Sequence, residues 1–141
     1  MEKTEQILEL IEPFVKEGKI LPRTYEQIEN NIDDFVFVMN SDKLVACAGL
    51  RGYNNSVMCE IYCLAVISGA QKQGHSERLL GELINKARDF HYSKIFALSK
   101  FSTNWFIKNG FTQAGIEDLP NERKDNYDHE RSSPIFIKDI N

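Results

Sequence analysis

The chain has 141 residues, 42% apolar and 27% charged, with a net charge of −4. That length suits one domain with a single real core, and the apolar stretches are strand-sized, short of the ~20 residues a membrane span needs. The acidic balance argues against a nucleic-acid surface, and the acidic start "MEKTEQILEL" lacks the basic-then-apolar order of a signal peptide.

Along the chain, Ile7, Leu10, Ile11, Phe14 and Val15 recur at helical spacing between Thr4 and Lys16. Gly18 is the stop, and Pro13 marks a kink or an early end. "LPRTYEQIENNI" predicts a second helix, capped by Thr24 with Gln27 completing a capping box. "DFVFVMN" and "KLVACAGLRGY" read as strands joined by the turn "NSDK", and "VMCEIYCLAVI" as a third, central strand. An amphipathic helix from Glu77 to Phe90 leads into the strand "KIFALS". "TNWFIKNGF" is a short helix closed by Gly110 in a left-handed C-cap, "FTQAG" a strand, and "SPIFIKDI" the last strand. The order is α+β with a mixed sheet and one β-α-β crossover, as a single domain over residues 1–141 without linker or repeat.

Three cysteines, Cys47, Cys59 and Cys63, do not make a disulfide framework. Cys59 and Cys63 lie on one predicted strand, about 13 Å apart at ~3.3 Å per residue, too far for a bridge or a shared metal. The plain reading is cytoplasmic, reduced and metal-free.

The loop between the central strand and the main helix has two readings. Unpaired N–H groups and the dipole make a helix N-terminus a phosphate site when a glycine lets the chain bend around the anion. "QKQGHSERLL" supplies Gly74 in the bend, Lys72, His75 and Arg78 as donors, and Ser76 as a cap. The plainer reading is that Gly69 and Gly74 only make turns. Neither the dinucleotide nor the nucleoside-triphosphate loop spacing is present.

Gln71-Lys72-Gln73-Gly74-His75-Ser76 resembles the Q/R-x-x-G-x-G/A pyrophosphate loop of the GNAT acetyltransferases, with Ser76 where a small Gly or Ala is usual. "ILPRTYEQIENNIDDF", "CEIYCLAV", "GHSERLL", "NWFIKNGF", "DLPNERK" and "YDHERSSPIFIKDI" together resemble the acetyltransferase domain of the N-acetylglutamate synthases, in order and spacing. The resemblance implies the GNAT fold, a mixed and mostly antiparallel central sheet flanked by helices. It also implies acetyl-CoA as donor, and L-glutamate or a similar amino acid as acceptor in the first step of arginine biosynthesis. No stretch resembles the amino-acid-kinase-like domain of the longer synthases, so arginine feedback carried there is not expected. The first strand common in GNAT domains is also lacking. That leaves the neighbouring strand as an exposed edge, or as one covered by a partner such as a second copy of the chain.

Acetyl transfer must hold a thioester, deprotonate an amine, stabilise an oxyanion and release a thiolate. The resemblance assigns main-chain groups of Leu64, Ala65 and Val66 to the pantetheine arm and oxyanion, through a bulge or splay of the central strand. It gives the diphosphate to residues Gln71, Lys72, Gln73, Gly74, His75 and Ser76. Glu60 is the general-base candidate, as the carboxylate heading an apolar strand and matching a Glu of the family; the alternative is an exposed carboxylate beside a turn.

Arg23 and Arg131 are the candidate acceptor clamps, since a dicarboxylate suits two bidentate forks; the alternative for each is a surface salt bridge. Ser133 matches a serine of the final signature, and the resemblance implies main-chain contacts to the acceptor around Cys63 and Leu64. The usual residues at Ser132 and Pro134 are replaced. Cys63 itself reads as a small buried residue rather than a nucleophile. The tyrosine acid of many GNAT enzymes falls at Phe106, so Ser99, Ser102 and Asn104 are the nearby hydrogen-bonding candidates and Tyr127 a distant one. Ser99 is taken as the catalytic choice and Asn104 as a cofactor contact. Phe101, Phe106 and Ser76 keep open a non-catalytic acyl-CoA-binding module, and another amino acid, small amine or protein N-terminus remains an alternative acceptor.

Overall fold

The amphipathic spacing of the N-terminal segment produces helix α1, Lys3–Lys16, which buries Thr4, Ile7 and Ile11 on one face. The computed structural model describes residues 2–67 and 74–140. Pro13 stays inside α1 without ending it. Gly18, at φ +74°, closes the helix: its N–H donates to Val15 O at 3.0 Å and that of Lys19 to Phe14 O at 2.9 Å. Helix α2, Tyr25–Asn30, has its capping box: Thr24 Oγ1 accepts from Gln27 N at 3.1 Å and Gln27 Oε1 from Thr24 N at 2.8 Å. The helical reading of "LPRTYEQIENNI" runs too far, because Asn31 closes α2 and Ile32–Asp34 forms a separate 3-10 turn.

Strands β1, Phe35–Asn40, and β2, Lys43–Gly52, pair antiparallel from Phe35↔Gly49 to Asn40↔Lys43, with a register shift at Val38/Met39. Strand β3, Met58–Val66, is followed by helix α3, His75–Asp89, and strand β4, Lys94–Leu98, which pairs parallel with β3. Helix α4, Thr103–Lys108, strand β5, Thr112–Ala114, helix α5, Asn121–Asp125, and strand β6, Ile135–Asp139, complete the chain. The six strands lie in the order β1-β2-β3-β4-β6-β5, a mixed open sheet. β1 ends that order, with no further strand beside it among the described residues.

Two further differences from the sequence reading concern helices. The main helix begins at His75 rather than Glu77, so Ser76 is not its cap; it lies inside the first turn, and its hydroxyl donates to Glu77 Oε2 at 3.1 Å. α5 was not expected at all, because "NERKD" has no apolar periodicity and buries no residue.

The chain forms two compact units: residues 1–50 with 63–83, and 51–62 with 84–141. In the first, Val38, Leu44, Ala46, Ala48, Leu79 and Leu83 are among the buried apolar residues. In the second, Tyr53, Met58, Phe96, Leu119 and Ile135 form a core cluster. Phe106, only 2% exposed, stacks on Phe136 at 5.3 Å and meets Phe111 edge-on at 5.0 Å. Aromatic packing, not chemistry, explains that position.

Gly110, at φ +89°, ends α4 with Gly110 N–H donating to Ile107 O and Phe111 N–H to Phe106 O, at 3.1 and 3.0 Å. A Cβ at this position would lie 2.6 Å from Lys138 Nζ and carry the left-handed penalty. Gly110→Ala is therefore expected to lower stability by about 1 kcal/mol in urea denaturation. An unchanged midpoint would contradict this account of the turn.

Candidate active site

Strand β3 carries most of the expected chemistry, and its backbone is not regular. Its ladder with β4 runs from Met58↔Lys94 to Ile61↔Ala97, yet the strand continues to Val66. Just past the last pair, Cys63 sits at φ +55°, a left-handed conformation that a non-glycine residue adopts at a cost of about 1–3 kcal/mol. Leu64 and Ala65 follow this break. Their main chain therefore lies beyond the β3–β4 ladder, and Ile67 N–H returns the chain to Val45 O at 2.8 Å.

In the first unit, the structure brings Arg23 to Cys63. Burial pushes the Cys63 thiol up, and the Arg23 guanidinium beside it, hydrogen-bonded to the thiol, pulls it partly back. Arg23 Nη1 also donates to Leu21 O at 3.1 Å. Cys47 Sγ donates to Cys63 O at 3.8 Å, and burial followed by the Cys63 charge pushes the Cys47 thiol up. Burial likewise pushes Cys59 up to about 12. Raised thiols carry little thiolate at neutral pH. Native protein at pH 7.5 is thus expected to resist iodoacetamide at all three cysteines, whereas urea-unfolded chain reacts; fast labelling of native Cys63 would contradict this.

At the start of α3, Gly74 takes φ +77° and its carbonyl accepts from Arg78 N–H at 3.1 Å. His75 Nε2 is buried with no hydrogen-bond partner among the described residues. Such an atom is able to pair with a bound polar group or a water. Gln71, Lys72 and Gln73 fall outside the described residues. A cavity of about 520 Å³ in the same unit, lined by Leu10, Phe14, Leu44 and Ile67 among others, includes none of the expected site residues that are among the described ones.

The second unit holds Glu60, which is 7% exposed. It is no exposed carboxylate beside a turn. Arg123 Nε donates to Glu60 Oε1 at 2.9 Å and Nη2 to Oε2 at 3.4 Å, while Tyr53 Oη donates to Oε1 at 2.5 Å. Burial, then the Glu60 charge, pushes the Tyr53 phenol up, so it remains a neutral donor. Desolvation works against the Arg51 charge, but Tyr53, Tyr62 and Glu60 outweigh it and hold Arg51 above its ordinary value. Its guanidinium also lies 4.7 Å from the Tyr62 ring centroid. The result is a chain of Arg51, Tyr53, Glu60 and Arg123.

The second unit also carries other expected residues. Ser99 N–H donates to Pro134 O at 3.0 Å, extending the β4–β6 ladder that ends at Leu98↔Ile135. Ser99 Oγ accepts from Phe101 N–H at 3.3 Å and keeps its own proton to donate. Ser133 is buried, and its carbonyl accepts from Tyr127 Oη at 2.8 Å. Asp128 Oδ1 takes the N–H groups of Glu130 and Arg131, both at 3.0 Å, which shapes the turn carrying Arg131. Asn104 is exposed in the first turn of α4. Among the described residues no group of three His, Cys, Asp or Glu side chains could hold a metal, and no helix is long and apolar enough to cross a membrane.

Residues 2–111 match the acetyltransferase (GNAT) family. The chain belongs to that family. It is also 38% identical over 133 residues to the amino-acid acetyltransferase of Neisseria meningitidis serogroup B, covering 94% of this chain and 30% of that protein. The amino-acid acetyltransferase of Mannheimia succiniciproducens is 33% identical over 135 residues, which is 96% of this chain and 31% of that one. This GNAT chain thus spans about a third of the length of those relatives. N-acetylglutamate synthase from Neisseria gonorrhoeae, solved with coenzyme A and N-acetyl-glutamate, superposes with a TM-score of 0.93 at 36% identity. That match covers 97% of this chain and 32% of the other.

Sequence reading of this GNAT domain missed Arg123 and Tyr53. "DLPNERK" contributed only to the resemblance, and Tyr53 only ended a strand. The available signal was electrostatic: a carboxylate on an apolar strand needs a cation, and no local neighbour in "VMCEIYCLAVI" supplies one.

Proposed function

We propose that this GNAT protein is a cytoplasmic enzyme that transfers the acetyl group of acetyl-CoA to the α-amine of L-glutamate. The observation that carries the reading is β3, where a buried carboxylate precedes a left-handed break that puts main chain beyond the β4 ladder. The likeness to a synthase solved with coenzyme A and N-acetyl-glutamate supports the donor and the acceptor. The product would be N-acetylglutamate, in the first step of arginine biosynthesis.

Acetyl-CoA supplies the activated acyl group as a thioester. The left-handed Gly74, the α3 N-terminus with Ser76 in its first turn, and His75 Nε2, which has no partner among the described residues, fit its diphosphate; Gln71, Lys72 and Gln73 are assigned to the same role. Main-chain groups of Leu64, Ala65 and Val66 fit the pantetheine arm, and Asn104 is a further cofactor contact. Glu60 takes the proton of the acceptor ammonium, directly or through one water. Oε2 is the atom for this, because it receives one long contact whereas Oε1 receives two shorter ones. Arg23 and Arg131 bind acceptor carboxylates, Ser133 and the main chain at Cys63 and Leu64 assist, and the Ser99 hydroxyl donates to the leaving thiolate.

A thiol-release assay with acetyl-CoA and a panel of amines tests the reading. L-glutamate is expected to lead the panel, with Arg131→Ala raising the glutamate KM about 10-fold or more and leaving the acetyl-CoA KM within about twofold. Aspartate or an uncharged amine far ahead of glutamate would change the acceptor. Stabilisation by acetyl-CoA without thiol release from any acceptor would make the protein a binding module.

A further inference from the structure

We propose that Arg123 on α5 is a positioning residue for the transfer, holding the Glu60 carboxylate so that Oε2 stays turned to the proton it must accept. The proposal rests on the reading of Glu60 as the base. Glu is a long side chain, and a single contact would leave it several rotamers. Here two donors converge on Oε1, Arg123 Nε at 2.9 Å and Tyr53 Oη at 2.5 Å. Arg123 Nη2 reaches Oε2 at only 3.4 Å, so the carboxylate plane is fixed while Oε2 retains lone pairs. The guanidinium is itself braced, since Nη1 donates to Asn126 O at 3.1 Å. Side-chain exposures of 18% for Arg123 and 9% for Glu60 leave the pair little solvent in which to reorient.

The competing idea is that the pair merely ties α5 to β3. A five-residue helix that buries no side chain is too short to persist alone, so the tie is real. A purely structural tie makes α5 depend on Arg123 but gives no reason for the chemical step to depend on the fork geometry. Lys at 123 separates the two ideas, because it keeps the cation and loses the fork.

The test is a double-mutant cycle on kcat with R123K, R123Q, E60Q and the two doubles E60Q/R123K and E60Q/R123Q, using the thiol-release assay. R123K is expected to lower kcat about 10-fold and R123Q about 100-fold, with KM for acetyl-CoA and glutamate within about twofold. In the E60Q background each Arg123 substitution is expected to change kcat by less than about threefold, since a residue acting through Glu60 has nothing left to position. R123K retains a charge partner for Glu60 and so guards the test against loss of folding in R123Q. Equal losses in both backgrounds would overturn the positioning role while leaving Glu60 as base. Loss expressed only in KM would also overturn it. Full turnover in E60Q would remove the base assignment first, and the positioning role with it.

Discussion

Glu60→Gln is expected to lower kcat by about 10²- to 10⁴-fold, the range that general-base catalysis supplies, while acetyl-CoA binding stays near its original strength. The amine of an amino acid is mostly protonated at neutral pH, so its proton must leave before or during attack. Gln has the same shape as Glu, and its carbonyl can still accept from Arg123 and Tyr53, the groups that hold Glu60 Oε1. What it lacks is a basic oxygen at the Oε2 position. Single-turnover thiol release with saturating acetyl-CoA isolates this step. A thermal midpoint within a few degrees of the original would separate lost chemistry from lost fold. Turnover within about threefold of the original would end the assignment of Glu60 as base.

Arg123→Met carries the largest expected effect on stability. A buried ion pair is weak evidence for net stabilisation, but removing one partner strands the other charge. Glu60 is 7% exposed and, of its two side-chain donors among the described residues, would keep the Tyr53 hydroxyl. The expected loss is about 3–5 kcal/mol, read from urea denaturation. Adding Glu60→Gln to Arg123→Met removes the stranded charge, so the double variant is expected to recover a large part of the loss. A single-variant loss below about 1 kcal/mol, or strictly additive losses, would mean that water already solvates Glu60.

Local signals made much of the fold legible. Thr24 and Gln27 sit three apart and form their reciprocal cap, Gly110 takes the left-handed turn its place after α4 demands, and the β1–β2 hairpin follows its turn residues. Each is decided by neighbours in sequence. The start of α3 was misplaced because Ser76 looks like a cap, although Gly74 already supplies the bend and Ser76 spends its hydroxyl on Glu77. α5 gave no signal, being short and polar; tertiary contact rather than propensity holds it.

The candidate site shows the same division. Glu60 stood out because a carboxylate on an apolar strand is anomalous. Its partner Arg123 lies 63 residues further on, and no local pattern links the two. The left-handed Cys63 is equally silent in sequence, since nothing in "EIYCLAV" marks a residue for positive φ. Long-range ion pairs and strand breaks of this kind depend on the packed sheet.

A crystal structure of the protein with coenzyme A and N-acetylglutamate tests most directly whether Glu60 serves the acceptor. It should place the product's amide nitrogen within direct or one-water reach of Glu60 Oε2, with the Arg123 and Tyr53 contacts intact. An amide nitrogen facing another basic group, with Glu60 Oε2 sealed off from the ligand, would contradict the account.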